Sequence, residues 1–242
     1  MSKTSIEWTD KTWNPVTGCT KISAGCEYCY AETMTRRLKG MHKDKYKDGF
    51  KCTIHPESLS EPLSWKNPST IFVCSMSDLF HKDVPFKFVD KVMDVIKQTP
   101  QHNYQILTKR PERMAGYFNN KVIPENVWIG VTVESSKYKD RIDCIRNLNA
   151  KIKFLSCEPL IDDLGVLDLN GINWVIVGGE SGNKARPMKE DWLVSIKDQT
   201  DKANIPFFFK QWGTWGQDGV KRSKVENGKL LNGAIYQKMP KF

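Results

Sequence analysis

Ile71-Phe72-Val73-Cys74-Ser75-Met76-Ser77-Asp78, followed by Pro85-Phe86-Lys87-Phe88-Val89-Asp90-Lys91-Val92-Met93-Asp94-Val95-Ile96, decides the fold. The first four residues form a short apolar run with a β-branched and aromatic character, which predicts a strand. A polar turn follows it. From Pro85 the apolar positions Phe88, Val89, Val92, Met93 and Ile96 fall at helical spacing, and proline suits the first turn of a helix. The same alternation recurs down the chain. Strand Tyr104–Leu107 precedes a helix from Pro111; strand Val127–Val133 precedes a helix from Lys137 to about Leu148; strand Lys153–Ser156 precedes a short element near Leu160. Trp174–Val177 then leads to a helix over Glu190–Lys202, and Pro206–Phe209 closes the series. These strands are too uniformly apolar to have a wet face, and strand–helix alternation implies parallel pairing through right-handed crossovers. With a first strand before Cys19, the expectation is α/β: a partial TIM-like barrel of six or seven β/α units, short of the eight that close a barrel. A doubly wound open sheet is the alternative.

The chain of 242 residues fits one domain over 1–242. Two segments stand outside the alternation. Residues 39–68, rich in Lys, Asp, Ser and Pro, read as an insertion after the first helix. Residues 214–242, with Asn227-Gly228 and Asn232-Gly233 between short apolar runs, read as a terminal hairpin or tail. No run of about 18 apolar residues offers a membrane span, and the N-terminus lacks the basic and apolar regions of a secretory signal. A soluble, cytoplasmic protein without disulfides and without a membrane partner is expected. The net charge of +9 favours a polyanionic partner, nucleic acid being the natural one, although the lysines are spread rather than blocked.

Seven cysteines, three of them within eleven residues, carry the chemistry. Cys52, Cys74, Cys144 and Cys157 are scattered, as small buried residues often are. The segment Gly18-Cys19-Thr20-Lys21-Ile22-Ser23-Ala24-Gly25-Cys26-Glu27-Tyr28-Cys29-Tyr30 has the spacing C-x6-C-x2-C. Three thiolates can bind three irons of a cubane and leave the fourth iron open, whereas electron-transfer [4Fe-4S] clusters use four cysteines. The competing reading is a zinc knuckle completed by His42 or His55.

The C-x-aromatic-C ending at Cys29, on a loop between a first strand and a helix beginning near Ala31, resembles the cluster loop of the radical S-adenosylmethionine (SAM) superfamily. The commonest spacing there is C-x3-C-x2-C, so Lys21–Gly25 carries three extra residues. The chain is also similar, nearly end to end, to a phage- and prophage-associated family of three-cysteine radical-SAM-like proteins. That similarity runs through Trp13-Asn14-Pro15-Val16-Thr17-Gly18-Cys19, Leu107-Thr108-Lys109-Arg110-Pro111, Trp128-Ile129-Gly130-Val131-Thr132 and Val177-Gly178-Gly179-Glu180-Ser181. The resemblance implies a barrel of radical SAM type and a radical SAM enzyme whose [4Fe-4S] cluster is held by Cys19, Cys26 and Cys29. It further implies SAM as the ligand of the open iron, an electron donor such as flavodoxin or ferredoxin, and a partner protein encoded nearby.

In a parallel barrel the working residues lie beyond the C-terminal ends of the strands. There, Ser75, Ser77 and Asp78 are candidates for SAM binding, Asp78 as acceptor of the methionyl amine; a helix-capping turn explains them equally. Gly178, Gly179 and Glu180 contain the Gly-Gly-Glu tripeptide that the superfamily often uses for that amine, but after a much later strand. Their backbone amides are candidates for approaching adenosine or a phosphate. Lys109, Arg110, Arg186 and Lys210 are candidate partners of a substrate phosphate or the SAM carboxylate. Glu134 and Glu158 also follow strands. Cys157 is a candidate hydrogen-atom donor, and Trp212 and Trp215 are candidates for stacking on a base. The expected function is radical SAM modification or repair of nucleic acid or a nucleotide. A non-catalytic nucleic-acid-binding module with a structural zinc, and a radical SAM enzyme acting on a peptide or small metabolite, are the alternatives.

Overall fold

The structure, a computed structural model, describes residues 4–241. In chain order the elements are β1 (Lys11–Trp13), β2 (Val16–Thr17), α1 (Tyr30–Gly40), β3 (Thr53–Ile54), β4 (Thr70–Val73), α2 (Phe86–Gln98), β5 (Asn103–Thr108), α3 (Pro111–Phe118) and β6 (Val127–Thr132). They continue as α4 (Arg141–Arg146), β7 (Ile152–Cys157), β8 (Trp174–Gly178), α5 (Glu190–Lys202), β9 (Phe207–Gln211), α6 (Lys224–Asn227), β10 (Leu230–Leu231) and β11 (Ala234–Ile235). The chain divides into two compact units. One holds the chain up to Ile22, Cys29–Gly130 and Leu148–Lys151; the other holds Ser23–Tyr28, Val131–Asn147 and the chain from Ile152 on. Strand β6 contributes to both.

In the first unit the strand order is β1-β4-β5-β6, with Lys11–Trp13 paired in parallel to Ile71–Val73 and Thr70–Val73 to Asn103–Ile106. Helix α2 turns Phe88, Val89, Val92, Met93, Val95 and Ile96 inward, the stripe its spacing predicts. Trp13, Phe80 and Tyr104 are fully buried in this unit, and Trp13 meets Tyr104 edge to face. The 39–68 segment is tied in rather than loose. Its strand β3 pairs antiparallel with β2, and the Trp13 indole N–H donates to the Ser58 carbonyl at 2.7 Å.

In the second unit the order is β6-β7-β8-β9, again parallel where β7, β8 and β9 pair. All five residues of β8 are buried, as a strand covered on both faces requires. Phe154, Trp174, Phe209 and Trp212 fill this core. The fold is therefore α/β, with seven parallel strands of partial-barrel type and one strand for each unit expected from the sequence. The helix expected over 137–148 is shorter. A 3-10 turn at Ser136–Tyr138 precedes α4, because the Asp162 carboxylate takes the hydroxyls of Ser135 and Ser136 at 2.9 and 2.8 Å and holds a tight bend there. Asn232-Gly233 forms the hairpin turn between β10 and β11, with positive φ at both residues as a type I′ turn needs. Asn227-Gly228 instead ends α6, whose start carries a Ser223–Glu226 capping box. No helix among the described residues is long and apolar enough to cross a membrane.

Candidate active site

The cysteine loop enters the site from β2. Gly18 has a φ of 73°, and a β-carbon there would collide with the Lys51 carbonyl, so only glycine lets the chain pass before Cys19. The Cys19 N–H donates to the Phe50 carbonyl at 3.1 Å. At the other end Cys29, with an extended ψ of 122°, stands directly before α1, and its carbonyl accepts the Thr33 N–H at 3.3 Å. No disulfide engages Cys19, Cys26 or Cys29, and all three are partly exposed.

Within the first unit, the turn after β4 is laced to the segment that leads into the loop. Ser75 Oγ and the Met76 N–H both donate to Asn14 Oδ1 at 3.1 Å, and Ser77 Oγ donates to the Val16 carbonyl at 2.7 Å. The Tyr30 hydroxyl donates to the Ser75 carbonyl. Asp78 is buried, and its carboxylate is fully used. It accepts the Phe80 N–H at 2.9 Å, the Thr108 hydroxyl at 2.8 and 2.9 Å, the Lys109 N–H at 3.1 Å and Arg110 Nη1 at 2.9 Å. These four donors occupy the lone pairs that the methionyl amine expected at Asp78 would use. Arg110 reaches from Asp78 to the loop, where Nη1 lies 3.5 Å from Cys19 Sγ and Nη2 donates to the Thr20 carbonyl and hydroxyl at 3.0 and 3.1 Å.

Within the second unit, Ser23–Tyr28 is seated by three side chains that stand beyond strand ends. The Gly25 N–H donates to Glu134 Oε1 at 3.4 Å, while Arg141 Nη1 holds Glu134 Oε2 at 2.9 Å in a fully buried position. The Ala24 N–H donates to the Tyr138 hydroxyl at 3.2 Å. Arg186 Nη2 donates to the Ala24 carbonyl at 3.0 Å, Nη1 lies 3.4 Å from Glu27 Oε2, and the guanidinium stacks over the Tyr28 ring. Arg186 is itself fixed by Glu180, whose carboxylate accepts Nε at 2.8 Å, Nη2 at 2.6 Å and the Arg186 N–H at 2.9 Å. This pairing raises the Arg186 pKa, with the Glu180 hydrogen bonds the first cause. Ala24 and Gly25, within the Lys21–Gly25 stretch that lengthens the spacing, are part of this seat. Tyr138 is the member of the seat that sequence reading missed; its position just past β6 and Ser135 was the available signal.

Other expectations find different uses. A β-carbon on Gly179 would collide with the Trp212 carbonyl, and one on Gly178 would come within 2.8 Å of Glu158 Oε1. Both glycines thus permit close packing at the ends of β8 and β9. Cys157 is wholly buried, and burial pushes its thiol pKa up, so it keeps its hydrogen but offers a substrate no access. Trp212 is buried, with its indole N–H on the Leu230 carbonyl at 2.8 Å, and packs rather than stacks. Trp215 donates to the Ala185 carbonyl at 2.6 Å. Of the four expected phosphate-binding cations, Arg110, Arg186 and Lys210 are paired, with Asp78 at 2.9 Å, Glu180 at 2.6 Å and Glu158 at 3.0 Å respectively. Only Lys109 has no carboxylate partner within ion-pair distance among the described residues.

The donor set can be weighed against the metal it implies. His55 has both ring nitrogens engaged, Nε2 with Thr17 Oγ1 at 2.7 Å and Nδ1 with Glu57 Oε1 at 3.1 Å, which removes it as a zinc ligand. Among the described residues no three His, Cys, Asp or Glu side chains gather closely enough to hold a single ion. A cubane places no such demand, because each of its three thiolates binds a different iron. By donor chemistry, three partly exposed thiols close together in the chain suit the three corners of a cubane, and the first carries a guanidinium donor.

The strands and their loops define a parallel β/α protein of partial-barrel type. The family model described as "Protein of unknown function (DUF5131)" matches residues 3–240, and the chain belongs to that family. No curated protein matches the sequence. Among solved structures, the chain is similar to spore photoproduct lyase complexed with dinucleoside spore photoproduct, at 12% identity and a TM-score of 0.45, covering 77% of this chain and 59% of that one. A mutant of that lyase matches at 12% identity and a TM-score of 0.48, covering 82% and 63%. Another, with bound AdoMet and dinucleoside spore photoproduct, matches at 12% identity and 0.46, covering 79% and 61%. This chain thus spans about three-fifths of the length of those structures.

Proposed function

We propose that this chain is a radical SAM enzyme in which Cys19, Cys26 and Cys29 hold a [4Fe-4S] cluster, and that it modifies or repairs nucleic acid or a nucleotide. The observation that carries the reading is the three-thiol loop, whose two stretches are each gripped by polar side chains from strand ends: Asp78 and Arg110 at Cys19, and Glu134, Tyr138 and Arg186 at Ala24–Tyr28. Strand C-terminal ends are where parallel barrels keep their chemistry. When bound, the cluster would supply the electron that breaks a carbon–sulfur bond of SAM, giving methionine and a 5′-deoxyadenosyl radical able to take a hydrogen atom from substrate. The residues of the chain orient and enclose. Ser75 and Ser77 donate their hydroxyl hydrogens within the fold and keep oxygen lone pairs that suit an ammonium group. Lys109 is the cation best suited to a substrate phosphate, because the other three are already balanced by carboxylates. The net charge of +9 supports a polyanionic substrate. A low-potential donor of the flavodoxin or ferredoxin class and a reducing, cytoplasmic setting go with this chemistry.

Anaerobic reconstitution tests the reading. The chain should take up about four irons and four sulfides, and lose them when Cys19, Cys26 and Cys29 are replaced by Ala. With dithionite and SAM it should release 5′-deoxyadenosine, faster with DNA or RNA, which should gain a mass change or lose a lesion. Lys109→Ala should weaken that stimulation while leaving the iron content unchanged. Stoichiometric zinc without a cluster overturns the enzyme. Stimulation by a peptide or metabolite, with none by nucleic acid, overturns the substrate class alone.

A further inference from the structure

We infer that Arg110 is a positioning residue that acts through Cys19, holding positive charge and an N–H donor against that ligand sulfur and so setting the potential at which the cluster accepts its electron. The inference rests on the cluster reading above and reassigns Arg110 from substrate to cofactor. Three features carry it. The guanidinium is nearly buried, with its side chain 12% exposed, so its field on Cys19 is little screened by water. Its direction is fixed on every side. Asp78 Oδ2 takes Nη1 at 2.9 Å, and the Thr20 carbonyl and hydroxyl take Nη2 at 3.0 and 3.1 Å. The Thr20 hydroxyl is pinned in turn. The Asp83 N–H donates to His81 Nδ1 at 3.2 Å, so His81 carries its proton on Nε2 and donates it to Thr20 Oγ1 at 2.8 Å.

What remains after these bonds is an Nη1–H 3.5 Å from Cys19 Sγ. A cluster gains one negative charge when it is reduced, and donors to its sulfurs favour the reduced form, raising the potential. Asp78 offsets part of the guanidinium charge without removing the donor. Asp78 and Thr108, the apparent cofactor and strand-end residues, are on this view the clamp that aims Arg110.

The experiment is a dithionite titration, followed by electron paramagnetic resonance, of anaerobically reconstituted wild type, Arg110→Lys and Arg110→Met. Lysine keeps a charge for Asp78 but lacks the fork that spans Asp78, Thr20 and Cys19 at once. Both variants should load about four irons, as wild type does, and be reduced at a lower midpoint potential, methionine lower than lysine. Because Arg110→Met strands the buried Asp78 carboxylate, the double variant Asp78→Asn/Arg110→Met serves where the single one fails to fold. An unchanged midpoint in loaded Arg110→Lys overturns the inference. So does failure of every folded variant to load iron, which would make Arg110 purely structural. If wild type itself assembles no [4Fe-4S] cluster, the cluster reading fails first and this inference falls with it; if wild type assembles one and the variants match it, only the inference fails.

Discussion

A β-carbon added to Gly25 would stand 2.8 Å from Glu134 Cγ, and Glu134 has little room to give way. Its side chain is buried, one oxygen is held by Arg141 at 2.9 Å, and the other takes the Gly25 N–H. The conflict is steric and local, since the Gly25 backbone does not occupy the left-handed region. Gly25→Ala should therefore lift Ser23–Tyr28 from its seat at an overpacking cost of about 1 kcal/mol, which lowers the melting temperature by about 2–4 °C. Iron content after reconstitution should drop by much more than that small destabilisation suggests, because Cys26 moves with the segment. A variant that melts as expected and still binds the wild-type amount of iron would show that this seat does not govern the cluster loop.

At the scale of elements, the end of β8 shows how a motif that looks chemical is used for packing. Gly179 donates its N–H to the Gln211 carbonyl at 2.9 Å, and the Trp212 carbonyl occupies the space a side chain would need. Backbone cannot rotate aside as a long side chain can, so Gly179→Ala should cost about 3 kcal/mol and lower the melting temperature by several degrees. Gly116, exposed in α3 with nothing within 4 Å of an added β-carbon, is the control. Gly116→Ala should stabilise by about 0.5–1 kcal/mol. Equal melting shifts for the two would refute the packing account. The contrast bears on what the sequence can reveal. The strands were readable because a parallel sheet covered on both faces needs unbroken apolar runs such as Trp174–Val177, and the cysteine loop because its spacing is contiguous. The use of Glu134, Glu180 and Asp78 was not readable, because their partners Gly25, Arg186 and Arg110 are chosen by loops that meet only after folding. From sequence each is simply a polar residue past a strand.

For the whole molecule, acid should act first through histidine. His55, His81 and His102 are buried, and that burial is the first cause that lowers each pKa below the ordinary histidine value near 6.5. In the fold they take up protons only at a lower pH than in the unfolded chain, which does so as pH falls below about 6.5. The unfolded state then binds more protons, so stability is full above that pH and is lost as pH falls toward the folded values. Each histidine contributes a slope of up to about 1.4 kcal/mol per pH unit. The carboxylates with lowered pKa, among them Glu32, Asp90 and Asp162, act in the same direction but only below about 4.5. The window between pH 7.5 and 5.5 therefore belongs to the histidines, and the melting temperature should fall across it. His102 tests the assignment away from the cysteine loop. It is fully buried, its Nε2–H donates to the Trp65 carbonyl at 3.0 Å, and its Nδ1 has no partner among the described residues. Glutamine can reproduce the donor and does not titrate. His102→Gln should flatten the fall of melting temperature with acid even where it lowers the melting temperature at pH 7.5. A wild-type melting temperature that stays level from pH 7.5 to 5.5, or a variant that keeps the full wild-type slope, would remove His102 from the account.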